Sequence, residues 1–159
     1  MLVPEGRLEI TTEGGLDVDG NRSHVAATVN RLRDAGIRVS VFIDPEPRQV
    51  DAARDCGVQV CEVHTGSYAR LFHQHGGELA NSELRDALSA VADTGRRIRD
   101  GGMAFNAGHA LNYQNVQPVA ALPGVKELHI GHSIVSRAVF VGMREAVGEM
   151  RRLMQQARA

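Results

Sequence analysis

Four short segments of this 159-residue chain hold side chains that can move protons or bind oxyanions. Glu62-Val63-His64-Thr65-Gly66 ends a β-branched run, and strand alternation puts Glu62 and His64 on the same face. A carboxylate and an imidazole so placed form either an acid/base pair or a buried pair that orients a neighbouring loop. Asn106-Ala107-Gly108-His109-Ala110 follows the next such run and offers a second imidazole. Gly131-His132-Ser133 is the most telling of the four. Gly131 permits close approach of a ligand to the backbone, Ser133 suits the cap of a helix starting near Ile134, and free N–H groups at a helix start attract phosphate. Thr11-Thr12-Glu13-Gly14-Gly15 supplies hydroxyls and a Gly-Gly backbone, which suit an oxyanion or an ordinary solvated turn.

His64, His109 and His132 at successive strand ends also match the usual number of protein ligands for catalytic zinc. No H-x-H or H-x₃-H pair links them, and phosphate polarisation needs no metal, so no metal is assigned. His73 and His75 do form an H-x-H pair, in a loop without a third ligand, and are read as solvated. His24 and His129 are read as surface or supporting residues. Cys56 and Cys61 are the only thiols, and they read as small buried hydrophobes around a strand.

Alternating strands and helices must position these segments. Strands are expected at Arg38–Ile43, Val58–Val63, Met103–Asn106 and Glu127–Ile130, with Leu2 and Val3 the tail of another, cut off by Pro4. Val25, Val29 and Leu32 mark a helix capped at Asn21 or Ser23 and stopped near Gly36. Pro45 or Pro47 opens a second through Val50 and Ala53. Leu84, Leu88, Val91 and Ile98 describe a longer helix closed by Gly101-Gly102, and a last one carries Met143, Val147, Met150 and Leu153. Tyr68–Leu79, interrupted by Gly76-Gly77 and two histidines, is expected to be a flexible excursion.

A composition 43% hydrophobic and 23% charged, with mean hydropathy −0.21, is that of a soluble globular protein and excludes collagen, coiled coil and membrane span. Eighteen Lys+Arg against 19 Asp+Glu, a formal charge of −1, lack the basic footprint of a nucleic-acid binder. The start MLVPEGR has no basic stretch leading into an apolar one, so a cytoplasmic location is expected. Residues 1–159 read as a single domain of four β/α units and a fragment of a fifth. That count fits an open doubly wound sheet, or the second half of a (β/α)₈ barrel, which takes roughly 250 residues when complete. An isolated half-barrel leaves two unpaired sheet edges and an exposed inner face, and such a chain is expected to associate, rearrange or aggregate.

Read in order, LVPE (Leu2 to Glu5), TTEGGLDV (Thr11 to Val18), FID (Phe42 to Asp44), EVHTGSYA (Glu62 to Ala69), NAGHALNY (Asn106 to Tyr113), IGHSI (Ile130 to Ile134) and RAV (Arg137 to Val139) span almost the whole chain. In this order they resemble the pyridoxine 5'-phosphate synthase family. The resemblance implies an α/β fold that is a partial (β/α)₈ TIM barrel, covering the end of strand 4 through strand 8 and the C-terminal helix. Roughly the first three β/α units are then absent from this sequence. It also implies a homo-octamer for the full-length family. The implied reaction joins 3-amino-2-oxopropyl phosphate to 1-deoxy-D-xylulose 5-phosphate, closing the pyridine ring and releasing phosphate and water, with no metal or organic cofactor.

By the same resemblance His109 is a proton donor, Thr11 contacts the deoxyxylulose phosphate, and Gly131 with His132 binds the aminooxopropyl phosphate. Glu62 and His64 take supporting roles. Ala110 departs from the family's N-A-G-H-G, whose last glycine contributes a backbone contact to the amino ketone, so a methyl stands where close approach is needed. The family's other proton-transfer residues, a histidine ending strand two and a glutamate on strand three, belong to the part not represented here. Each positioned acid or base typically contributes about 10²- to 10⁴-fold, so this chain alone is expected to be nearly inactive. The alternatives are a non-catalytic half-barrel that binds phosphate esters and the product of a degraded gene.

Overall fold

The computed structural model describes residues 1–4 and 14–158. The elements run α1 (Arg22–Asp34), β1 (Ser40–Ile43), α2 (Pro47–Asp55), β2 (Val60–His64), α3 (Gly66–Gln74), α4 (Ser82–Asp100), β3 (Ala104–Gly108), α5 (Val116–Ala120), β4 (Val125–His129), α6 (His132–Val141) and α7 (Met143–Gln156). Three helices that feed strands are stopped by one device. Gly36, Gly57 and Gly102 take φ of 75°, 76° and 77°, and the next N–H reaches back across the turn, Ile37 to Leu32, Val58 to Ala53 and Met103 to Ile98. Glycine supplies that left-handed turn without a Cβ clash, so the chain leaves each helix in a fixed direction and enters the sheet within a few residues. The starts are equally local. Pro47 is the first residue of α2, and the Asn81 side chain accepts the Leu84 N–H at 3.1 Å to cap α4.

The four strands are parallel and lie in sequence order, β1-β2-β3-β4. Leu2 extends the sheet beyond β1 through a parallel bridge to Val41, as its apolar character suggested. Alternation divides the side chains between two faces. Val41, Ile43, Cys61, Val63, Phe105 and Ala107 join Val29, Val50, Leu84, Val91 and Ile98 of the helices in one core. Helix α4 comes so close that a Cβ on Gly95 would lie 2.6 Å from Phe105 Cζ. Phe42, Glu62, His64, Asn106 and Gly108 occupy the opposite face. Both thiols are buried and free, and burial pushes that of Cys61 up to about 12.

Two local expectations are corrected and one helix is added. The span Tyr68–Leu79 is mostly helical: α3 runs to Gln74 because Tyr68 is fully buried and its hydroxyl donates to Asn115 O at 2.8 Å. Only the Gly76-Gly77 end is irregular. Helix α5 had no clear periodicity and was not expected. Ser133 does not cap α6, which begins one residue earlier after Gly131; its hydroxyl donates to Leu111 O at 2.9 Å instead. Among the described residues no helix is long and apolar enough to cross a membrane.

Candidate functional site

His109 stands just past the end of β3 on backbone of unusual conformation. It and Ala110 have φ of 79° and 57°, a left-handed pair without glycine that costs about 1–2 kcal/mol per residue. Neighbours hold the turn. The buried Thr65 hydroxyl lies 2.6 Å from both Gly108 O and His109 O, and the Asn115 amide donates to Ala110 O at 3.1 Å. Asn115 is itself fixed, accepting the Asn112 N–H at 2.7 Å through its side chain and the Tyr68 hydroxyl through its carbonyl. The HTG and GHALN segments are therefore one mechanical unit, in which strand ends β2 and β3 are stitched around His109.

The His109 ring lies 4.8 Å, centroid to centroid and nearly perpendicular, from His64, and 6.2 Å from Phe42. His64 is buried; its Nδ1 meets Asp44 Oδ1 at 2.8 Å, while among the described residues its Nε2 has no hydrogen-bond partner. Room for that nitrogen comes from Gly66, where a Cβ would stand 2.6 Å from it. Burial holds His109 below the ordinary histidine range, with His64 and His132 adding like-charge repulsion and Glu62 opposing. These effects favour the neutral imidazole.

Gly131 and His132 are exposed at the start of α6, and among the described residues nothing lies within 4 Å of a Cβ placed on Gly131. The first N–H groups of a helix lack intrahelical partners, so this corner presents donors to solvent. Thr11 lies outside the described residues. The glycine half of its segment is placed: Leu16 N–H donates to Phe42 O at 2.7 Å, and a Cβ on Gly15 would stand 2.7 Å from Ile43 Cα, so the segment passes against the end of β1 beside Asp44.

The structure thus brings Glu62, His64, His109 and Ala110 to neighbouring strand ends, with Gly131 and His132 at the next. His73 closes α3, and His75 lies 3.3 Å from both Glu83 and Asn81, away from this group. Among the described residues no cluster of three His, Cys, Asp or Glu side chains could hold a metal ion. Sequence reasoning missed Asp44, Thr65 and Asn115, and it underrated His129, which hydrogen-bonds Glu62. Asp44 directly after a strand and the N-Y-Q-N spacing of Asn112 and Asn115 were the available signals.

Comparison with known proteins agrees with the motif reading. The chain is 56% identical to a pyridoxine 5'-phosphate synthase of Azoarcus sp. over 159 residues, which is 100% of this chain and 64% of that protein. Synthases of the same name from Aromatoleum aromaticum and Dechloromonas aromatica are 58% and 55% identical, each over 99% of this chain and 62% of their own length. The chain therefore spans less than two thirds of these relatives. The family model for "Pyridoxal phosphate biosynthesis protein PdxJ" matches residues 1–156, and the chain belongs to that family.

Proposed function

We propose that this chain forms the C-terminal part of a pyridoxine 5'-phosphate synthase, residues 1–159 being one incomplete domain that supplies the end of strand 4 through strand 8 of a (β/α)₈ barrel and its C-terminal helix. The observation that carries the reading is the convergence of His109, Glu62, His64 and the Gly131-His132 corner at the carboxyl ends of sequential parallel strands, where barrel enzymes place their chemistry. Among the described residues β4 is an edge strand and α6 has no buried residue, which supports further β/α units against this side.

In this reading 3-amino-2-oxopropyl phosphate sits with its phosphate on the free N–H groups at Gly131 and His132, and Thr11 contacts 1-deoxy-D-xylulose 5-phosphate. The dianionic esters favour the imidazolium form of His109, so substrate binding charges the proton donor that it faces. The donated proton goes to an oxygen that leaves as water. Thr65 and Asn115 hold the His109 turn, and Asp44 fixes the tautomer of His64. Glu62 supports the site from the inner face. Ala110 narrows the approach to the amino ketone. The assembled protein is a cytoplasmic homo-octamer acting on phosphorylated small molecules.

The test is to join the N-terminal part of the Azoarcus relative to residue 1 and assay pyridoxine 5'-phosphate. The reading expects the chain alone to bind the aminooxopropyl phosphate without turnover and the fusion to turn over. A folded fusion that binds the ester and makes no product would favour the non-catalytic binding module.

A further inference from the structure

Gly108 leaves an opening in β3 through which the strands on either side touch. Glu62 on β2 reaches His129 on β4 although β3 lies between them. A Cβ on Gly108 would overlap Glu62 Oε1 and stand 3.0 Å from His129 Cβ. A register irregularity between Phe105 and Ala107, two residues of β3 against three of β4, brings Glu127 and His129 to this same face. There Glu62 Oε2 meets His129 Nδ1, and His129 Nε2 lies 3.5 Å from Glu127 Oε2, which also accepts the Asn106 amide at 3.0 Å.

Neutral imidazole has one N–H, and the charged form has two. Carboxylates at both ring nitrogens only accept, so both contacts are satisfied together by the imidazolium. We propose that His129 is a positioning residue: as an imidazolium bridging Glu62 and Glu127, it supplies the counter-charge that fixes the Glu62 carboxylate on the inner face beside the His109 turn. The inference rests on the reading that Glu62 supports the reacting site. Glu62 is 4% exposed, and a carboxylate buried to that degree needs a charged or multiply donating partner. Among the described residues its side-chain hydrogen-bond partner is His129.

Among the described residues the charged groups that contact His129 are Glu62 from β2 and Glu127 from its own strand, while β3 presents Asn106 and Gly108, neither titratable. Consistently, the Glu62 hydrogen bond holds His129 above the ordinary histidine range against the effect of burial, with Glu127 adding to it. Because the folded value is raised, the stability this contact contributes is complete below about pH 6.5 and is lost as pH rises through the folded midpoint.

The experiment is a ¹⁵N-histidine NMR titration of the intact chain from pH 5 to 9. His129 is expected to carry protons on both nitrogens up to a midpoint above the ordinary histidine value of about 6.5. Glu62→Gln should lower its midpoint by at least 0.5 unit, and Glu127→Gln by less. His129→Asn still donates to Glu62 but does not titrate, so it should keep the fold at pH 6 and flatten the alkaline fall in thermal stability, which a purely steric role would leave unchanged. A His129 that is singly protonated below pH 6.5, or whose midpoint ignores Glu62→Gln, would overturn the proposal. Calorimetry with inorganic phosphate separates the two readings: binding should persist in His129→Asn, and its absence in the unaltered chain would sink the phosphate site while leaving the NMR result to decide on His129.

Discussion

Gly108→Ala puts a methyl group where Glu62 and His129 meet. Gly108 lies in a strand and does not use the left-handed region, so alanine fits its backbone and the effect is one of space alone. The new Cβ overlaps Glu62 Oε1 and lies 2.9 Å from the His129 carbonyl oxygen, which belongs to a strand and cannot swing aside. Glu62 must therefore leave its partner while remaining buried. Losing one side of a buried ion pair costs about 3–5 kcal/mol, and the 38% exposure of the His129 side chain places this case at the low end. Restoring a Cβ in a strand returns about 0.5–1 kcal/mol, and crowding costs about 1–3 kcal/mol.

The net expectation is a loss of about 4 kcal/mol, or about 12 °C of Tm at roughly 3 °C per kcal/mol for a chain of this length. Circular dichroism melts at pH 6 measure it, with Gly131→Ala as the control because among the described residues nothing lies within 4 Å of that Cβ. In a His129→Asn background the loss should shrink, since the two changes act on one contact. A Gly108→Ala protein within about 1 kcal/mol of the parent would refute the claim that the strand opening exists to join Glu62 to His129.

Ala110→Gly should stabilise the chain by about 0.5–1 kcal/mol in denaturant titration, because removing a Cβ at φ 57° outweighs the entropy that glycine adds to the unfolded chain. The His109 imidazole, followed by NMR, should titrate below the ordinary histidine value in the free chain and rise when a phosphate ester binds; an unchanged midpoint on saturation would separate it from the binding corner. Val139 and Phe140 on α6 are 77% and 85% exposed beside Val135, so Val139→Lys with Phe140→Glu should reduce self-association in light scattering without lowering Tm.

The alternation of strands and helices was legible because part of its punctuation is local: Gly36 after α1, proline at the start of α2 and Gly101-Gly102 after α4. His109, Gly131 and His132 could be placed at strand ends by the same means. What the sequence concealed depends on contacts between distant segments. The period of two that assigns side chains to faces breaks at the β3–β4 irregularity, so nothing in V-K-E-L-H shows that Glu127 and His129 turn toward Glu62. Helix α3 was obscured by histidines and glycines at its end, although Tyr68, Leu71 and Phe72 already follow helical spacing. The left-handed pair at His109 and Ala110 exists because Asn115, five residues on, and Thr65, 44 residues before His109, hold it, and the Thr65 contact cannot be read from the local sequence.

The central claim, that the strand ends and the start of α6 form one site for a phosphorylated amino ketone, is tested most directly by backbone amide NMR of the chain titrated with 3-amino-2-oxopropyl phosphate. The account predicts saturable shifts at Gly131, His132 and Ser133, accompanied by His109 and Ala110. Shifts confined to the arginine-lined cleft between α2 and α4, around Arg54, Arg96 and Arg97, would contradict it, as would a spectrum the ester leaves unchanged.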